Sequence, residues 1–263
     1  MAKRLKDESK EEKKKFGISK IILLIIFILM FIFASVNLIR WVIYNNKSKA
    51  VIAEVLETTV VNDFDVEKNE EEKPQNPIEF DSLKEINSDA VAWIRIKDTS
   101  VNYPILKTDN NDYYLHKDIY KEYSTCGWIF MDYKNNSEFI DKNTVIYGHN
   151  IKSGIMFADL MKVKNNKLGK DIIIEIYTPK EKLEYKVFSS YVIEPEDYSI
   201  KSNIVTEDAM ESYIKTMLDR STILYNIVPS KLDRVITLST CDNSGDNRVL
   251  IHGVYVGGEK YEE

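Results

Sequence analysis

Arg234-Val235-Ile236-Thr237-Leu238-Ser239-Thr240-Cys241, then Asp242-Asn243-Ser244-Gly245-Asp246-Asn247, then Arg248-Val249-Leu250-Ile251-His252-Gly253-Val254-Tyr255-Val256, is the stretch whose reading decides the fold. Two runs rich in β-branched residues flank a polar loop containing Gly, the pattern of two strands joined by a turn. Alternation places Val235, Thr237, Ser239 and Cys241 on one face of the first strand. It places Arg248, Leu250, His252, Val254 and Val256 on one face of the second. A cysteine thus stands at a strand end, with a guanidinium opening the neighbouring strand. Acyl transfer needs such parts: a sulfur nucleophile, an imidazole to move protons and a donor for the oxyanion. Three histidines compete for the proton-transfer role. His149 ends Val145-Ile146-Tyr147-Gly148-His149, His252 shares the Arg248 face, and His116 sits in the turn-like Tyr113-Tyr114-Leu115-His116-Lys117-Asp118. Spacing alone leaves the choice open, because a lone strand cysteine is more often an inert buried thiol.

Outward from this hairpin, short elements follow one another. A helix is expected over 81–87, with Asp81 or Ser82 as N-cap. Strands are expected over 91–96, 101–105, 128–131 and 144–149, then a helix over 155–163. Further strands over 172–177 and 183–193 flank a turn at 178–181. A longer helix over 206–220 is capped by Thr206, with Glu207 and Asp208 at its positive end and Arg220 at its negative end. Its buried stripe is expected to be Ala209, Tyr213, Ile214, Met217 and Leu218. The class is mainly β with accessory helices, a barrel or sandwich.

Before residue 78 the composition changes twice. Residues 1–20 carry eight basic groups against four acids, a net +4. Residues 21–44 carry one charge, Arg40, and 21–39 are apolar except for Ser35 and Asn37. Nineteen such residues span about the ~30 Å hydrocarbon core of a bilayer. The run exceeds a signal peptide's apolar region, and Ala34-Ser35-Val36 is a poor cleavage site. An uncleaved anchor is expected at 21–44, with Trp41 and Tyr44 at the interface and the basic head 1–20 cytoplasmic. Residues 45–77 are acidic late (Glu67, Glu70, Glu71, Glu72) and end in Pro74 and Pro77. They read as a solvated extracellular linker, although 51–61 has helical potential. Residues 78–263 form the folded domain.

The whole-chain balance of 36 basic and 42 acidic residues argues against nucleic acid as a partner. A 44% hydrophobic fraction supports a real core, so a wholly disordered chain is excluded. Two cysteines exclude a disulfide scaffold or a multi-cysteine zinc module, and three histidines leave little for a metal. No metal or other cofactor is expected. Cys126 precedes Gly127-Trp128-Ile129-Phe130 with no Gly-x-His or Arg context and is expected to be a structural free thiol.

Thr237-Leu238-Ser239-Thr240-Cys241 resembles the Thr-Leu-x-Thr-Cys signature of sortases, the membrane-anchored cysteine transpeptidases of Gram-positive bacteria. Arg248 follows where that family has its arginine, and Tyr147-Gly148-His149 resembles its histidine segment. Val91-Ala92-Trp93-Ile94-Arg95-Ile96 with Val101-Asn102-Tyr103-Pro104-Ile105, Asp109-Asn110-Asn111-Asp112-Tyr113-Tyr114-Leu115, and Gly127-Trp128-Ile129-Phe130-Met131-Asp132-Tyr133 resemble class B sortases in particular. The likeness covers about 78–257. It implies an eight-stranded sortase-type β-barrel with an N-terminal helix and a long helix before the penultimate strand. It implies Cys241 as nucleophile, His149 as general acid/base and Arg248 as oxyanion and substrate clamp, with His252 left to packing. Asn111, Leu115, Ser239, Thr240 and Asp242 are the implied substrate-binding residues. The implied reaction cleaves the C-terminal sorting signal of a secreted protein after Thr, through a thioester. It then joins that protein to a peptidoglycan precursor or cross-bridge amine at the cell membrane. A cell-surface cysteine peptidase, giving the acyl group to water, is the nearest alternative. A non-catalytic membrane-anchored β-barrel binding module is the alternative of a different class. A pilus-polymerising type is not expected, since 257–263 carry no apolar anchor.

Overall fold

The computed structural model describes residues 2–62, 64, 74–194, 196–197, 200–242 and 245–261, with side chains from Lys20 onward. The chain divides into two compact units, Met1–Lys47 and Ser48–Glu263.

Helix α1 (Ala2–Thr59) provides the first unit and opens the second. Within the first unit its large apolar side chains face outward: Phe31 and Phe33 are each 73% exposed. Among the described residues one helical segment, Lys20–Thr59, is long and apolar enough to cross a membrane, and its apolar window is not buried at all.

The second unit is a closed eight-stranded barrel behind a short helix α2 (Phe80–Ile86). Its strands are β1 (Ala90–Ile96), β2 (Asn102–Leu106), β3 (Phe130–Met131), β4 (Asn143–Tyr147), β5 (Ile173–Tyr177), β6 (Glu181–Ile193), β7 (Val235–Cys241) and β8 (Arg248–Lys260). They close in the order β1-β2-β3-β4-β7-β8-β6-β5, with β5 returning to β1. The β2–β3 and β4–β7 pairs are parallel and the others antiparallel. Closure removes sheet edges that would otherwise offer unpaired N–H and C=O groups. Alternation divides β7 and β8 as expected. Ile236, Leu238, Val249 and Ile251 join the main core, with Trp93 and Trp128. Val235, Leu250 and Val254 pack with a second cluster that includes helix α4 (Glu207–Arg220). Both buried indoles are satisfied: Trp93 Nε1 donates to Asn102 Oδ1 (2.7 Å) and Trp128 Nε1 to the Pro104 carbonyl (3.1 Å).

Four expectations are corrected. The α2 cap is Glu79, whose carboxylate accepts from the backbone N–H groups of Asp81 and Ser82, so capping falls ahead of both residues expected to do it. The helix expected over 155–163 shortens to α3 (Leu160–Lys164). Met156 takes φ 58°, a conformation no right-handed helix contains, and its N–H donates to Tyr103 Oη instead (2.9 Å). On α4 the buried position is Met210 rather than Ala209, with Tyr213, Ile214 and Met217, while Leu218 is partly buried. The Thr206 cap is as expected, its hydroxyl accepting from the Ala209 N–H (3.2 Å).

The fourth correction concerns the stretch expected to be a solvated linker from residue 45. Its helical potential over 51–61 is realised to Thr59, and Val51, Val55 and Thr59 are buried. Val55, 1% exposed, belongs to the same core cluster as Leu83 and Trp93. The Val60–Ile78 bridge then ties the end of this helix to the approach to α2. The acidic run Glu67, Glu70, Glu71 and Glu72 lies outside the described residues. Val55→Asp should therefore cost at least about 2 kcal/mol, by forfeiting apolar burial and forcing a carboxyl into the core. Urea unfolding of the detergent-solubilised chain checks this; an unchanged midpoint would return the segment to a solvated linker.

Candidate active site

Cys241 is the last residue of β7 and Arg248 the first of β8, and the two face each other on the terminal rung of the antiparallel pair. Arg248 Nη1 donates to Cys241 Sγ at 3.3 Å. Cys241 is a free thiol and partly exposed. The rung is held by strand register, and the loop between is braced separately. Asp242 accepts from the Gly245 N–H through Oδ1 (3.0 Å) and from Asn247 Nδ2 through Oδ2 (2.9 Å), and its own N–H donates to the Asn247 carbonyl. Asn243 and Ser244 of that loop lie outside the described residues.

The other flank of β7 is β4, in parallel, with Tyr147 opposite Ser239. Past that rung the Gly148 N–H donates to the Ser239 carbonyl (3.1 Å), and Asn150 Nδ2 donates to the Cys241 carbonyl (3.1 Å). His149 is two residues beyond Tyr147 and Cys241 two beyond Ser239. The registered ladder ends at Tyr147 and Ser239, and the Gly148 and Asn150 hydrogen bonds keep the two segments together past its last rung. Gly148 is the close-approach point: a Cβ there would sit 2.4 Å from Ile129 Cδ1 and 2.8 Å from the Phe157 ring. His149 is half-buried, and its Nε2 lies 3.0 Å from the Leu115 carbonyl oxygen. Burial pushes the His149 pKa below the usual imidazole value; the hydrogen bond to Leu115 opposes this, and electrostatic interaction with His116 and Arg248 adds to the lowering.

The residues expected to bind substrate have distinct surroundings. Asn111 commits both ends of its amide, donating to Asp132 Oδ2 (3.0 Å) and accepting from the Tyr133 N–H (3.0 Å). The same Asp132 oxygen accepts from Tyr147 Oη (3.0 Å), so Asp132 ties the 111 loop to the strand leading to His149. Leu115 closes a 3-10 turn, Tyr113–Leu115, and presents its carbonyl to His149. Ser239 is buried on the Cys241 face of β7. Thr240 faces the opposite side, 2% exposed, with its hydroxyl lacking a partner, so any contact it makes with substrate falls to its backbone.

His252 and His116 stand apart from this group. His252 is opposite Thr237, four residues back along β7, or about 13 Å from the Cys241 rung. It is fully buried and stacked on Tyr191 at 5.2 Å, and its Nδ1 is 2.9 Å from Thr237 Oγ1. The Thr237 hydroxyl proton goes to Asn143 Oδ1 (2.8 Å), so His252 Nδ1–H is the donor in that pair. His116 is exposed and ends the 3-10 turn. Cys126 is buried and free, as expected. Among the described residues no group of three or more His, Cys, Asp or Glu side chains could hold a metal. Sequence reasoning did not single out Asn150, Gly127 or the Leu115 carbonyl. Asn150 directly after the histidine and Gly127 directly after a cysteine were the only signals, and a main-chain carbonyl leaves none.

Residues 94–256 match the sortase domain family. Sortase B of Listeria monocytogenes is 39% identical over 186 residues, which is 68% of this chain and 74% of that protein. Sortase B of Staphylococcus aureus is 33% identical over 167 residues, 63% of this chain and 68% of that one. A solved structure of Bacillus anthracis sortase B is similar with a TM-score of 0.69 at 28% identity, covering 81% of this chain and 98% of the other.

Burial pushes the His252 pKa down to about 3. The unfolded chain then binds a proton near pH 6.5 that the folded chain refuses, so this contribution is complete above 6.5 and is lost as pH falls toward 3. The slope is about 1.4 kcal/mol per pH unit, and the lowered His149 pKa acts in the same direction. In denaturant titrations at stepped pH, His252→Phe should flatten the dependence while retaining cleavage activity. An unchanged pH slope in His252→Phe would remove His252 as its source.

Proposed function

The chain belongs to the sortase family, as a class B sortase and hence a sortase-type transpeptidase, and from that premise we propose that Cys241, His149 and Arg248 carry its chemistry. Cys241 Sγ attacks the carbonyl of a Thr in the C-terminal sorting signal of a secreted protein. The carbonyl oxygen becomes an oxyanion, which the Arg248 guanidinium stabilises. His149, as imidazolium, gives its proton to the departing amine, and the C–N bond breaks to leave a thioester on Cys241. An amine of a peptidoglycan precursor or cross-bridge then attacks that thioester. Neutral His149 takes the amine proton, the C–S bond breaks, and the surface protein is left joined to the cell wall. One residue serving as acid and then base is what the two half-reactions require.

The single observation that carries this reading is the Arg248 Nη1 to Cys241 Sγ contact of 3.3 Å at the end of β7. A guanidinium already on the sulfur is adjacent to the carbon that sulfur attacks, where the oxyanion forms. Ser239 and the Leu115 side chain are proposed to border the peptide. Asp242 is proposed to shape the loop beside it, and Asn111, through Asp132, the opposite wall.

The first unit is proposed to be a single-pass anchor at 21–44 with the basic head 1–20 cytoplasmic and the barrel outside. Exposed apolar side chains along the helix support this. Enzyme, incoming substrate and a lipid-linked acceptor would then share one surface.

Two measurements check these assignments. Cys241→Ala should abolish cleavage of a sorting-signal peptide, and Arg248→Lys should lower kcat by about 10²–10³-fold; full activity in Cys241→Ala would end the reading. Carbonate washing should leave the full-length chain in the membrane pellet, and its release would end the anchor.

A further inference from the structure

The main chain supplies the hydrogen bond that orients the proposed base. The Leu115 carbonyl oxygen lies 3.0 Å from His149 Nε2, and a carbonyl only accepts, so Nε2 carries the proton. In a neutral imidazole the other nitrogen, Nδ1, then holds the lone pair. We propose that the Leu115 carbonyl, seated by Gly127, fixes the tautomer of His149 with Nε2 protonated, so that Nδ1 is the nitrogen that exchanges protons in both half-reactions. Leu115 and Gly127 are positioning residues: they touch the base, and neither touches the reacting atoms in this role. The inference rests on the reading of His149 as the acid/base.

The carbonyl is held from three sides. Tyr114 is 1% exposed, and its hydroxyl donates to Asp89 Oδ2 (2.7 Å) and accepts from Asn87 Nδ2 (2.8 Å), which pins the 3-10 turn to the connection between α2 and β1. The Tyr114 carbonyl accepts from the Trp128 N–H (2.9 Å), fixing the peptide unit that precedes Leu115. Gly127 fills the space beneath. It has φ +54°, and a Cβ there would lie 2.5 Å from the Tyr114 oxygen, 2.8 Å from the Leu115 oxygen and 3.0 Å from His149 Cδ2. No real Cβ approaches backbone oxygen that closely, so any side chain at 127 must move the carbonyl, the ring or both. Glycine at this position is thus a requirement of the tautomer-setting contact as well as of the turn.

The arrangement suits a residue that changes charge during turnover. In the imidazolium both nitrogens carry protons, so Nε2–H keeps its bond to Leu115 while Nδ1 gains or gives the catalytic proton. The ring needs no flip between half-reactions. Among the described residues the acceptor that orients the ring is a neutral carbonyl rather than a carboxylate. It therefore fixes orientation and favours the charged form, against the lowering that burial imposes on the His149 pKa.

The decisive measurement is ¹⁵N-edited NMR of the imidazole nitrogens in the histidine-labelled, detergent-solubilised chain. The three histidines are assigned by His116→Gln and His252→Phe. Neutral His149 should show a protonated Nε2 and an unprotonated Nδ1; the reverse tautomer in the unmodified chain overturns the proposal. Gly127→Asn, which adds a Cβ but tolerates positive φ, should shift the population toward the Nδ1–H form. It should also lower kcat by about 10²-fold with KM within about twofold, as expected when a reacting group is misplaced by about 1 Å. A folded Gly127→Asn chain with unchanged tautomer and kcat overturns the part assigned to Gly127. The underlying reading fails separately: a fully active His149→Ala would remove His149 as the base and leave its tautomer measurement standing.

Discussion

Strand β7 ends between two neighbours that run in different senses, and the site depends on that constraint. Its antiparallel partner β8 begins where β7 stops, which puts Arg248 across the rung from Cys241. Its parallel partner β4 travels in the same direction and pairs with it as far as Tyr147 and Ser239, two residues before His149 and Cys241. A parallel neighbour cannot be supplied by a hairpin. The chain between β4 and β7 therefore has to travel around the barrel, and it spends that length on β5, β6 and α4. Closure of the barrel fixes all these positions at once, because no strand can slip its register without moving every side chain to the other face.

The part of this arrangement that was legible in the sequence is the part that is local. Cys241 and Arg248 belong to one hairpin, so a strand-end cysteine with a guanidinium opening the next strand could be read locally, and the pairing puts the two on one rung. The strands and the Thr206 cap were legible for the same reason. His149 was not reachable in this way: nothing in local periodicity says that β4 pairs with β7, and only the likeness to a family chose it over His252. The helical misjudgements are also physical. Ile155, Met156 and Phe157 are apolar enough for a helix, yet they fold back under His149, where the Phe157 N–H meets the His149 carbonyl (2.9 Å). Val51 and Val55 follow a long apolar helix and look like its tail, and only tertiary packing reveals that they belong to the barrel's core.

Buried polar groups divide the barrel into a part arranged for chemistry and a part arranged for rigidity. Asp132 gathers Asn111, Tyr147 and the Lys134 N–H (3.0 Å), and so couples a surface loop to the strand below the proposed base. Asn135 accepts from the Val145 N–H (2.9 Å) and donates to the Asn143 carbonyl (2.8 Å), securing the start of the same strand. His252 lies under α4 among Phe188, Tyr191 and Tyr213 and behaves as an aromatic core residue with one polar contact. A histidine in such a setting is held neutral across the range in which most histidines switch.

Cys241 and Arg248 are adjacent in space because their strands are in register, and the residues between them in the chain contribute nothing to that adjacency. The hairpin loop is therefore a module: its length and composition can be rewritten while the sulfur–guanidinium contact stays where the ladder puts it. A fold built this way separates what must be conserved in geometry from what is free to diversify. It leaves the rim beside the Cys241–Arg248 rung open to change while the rung itself stays in place.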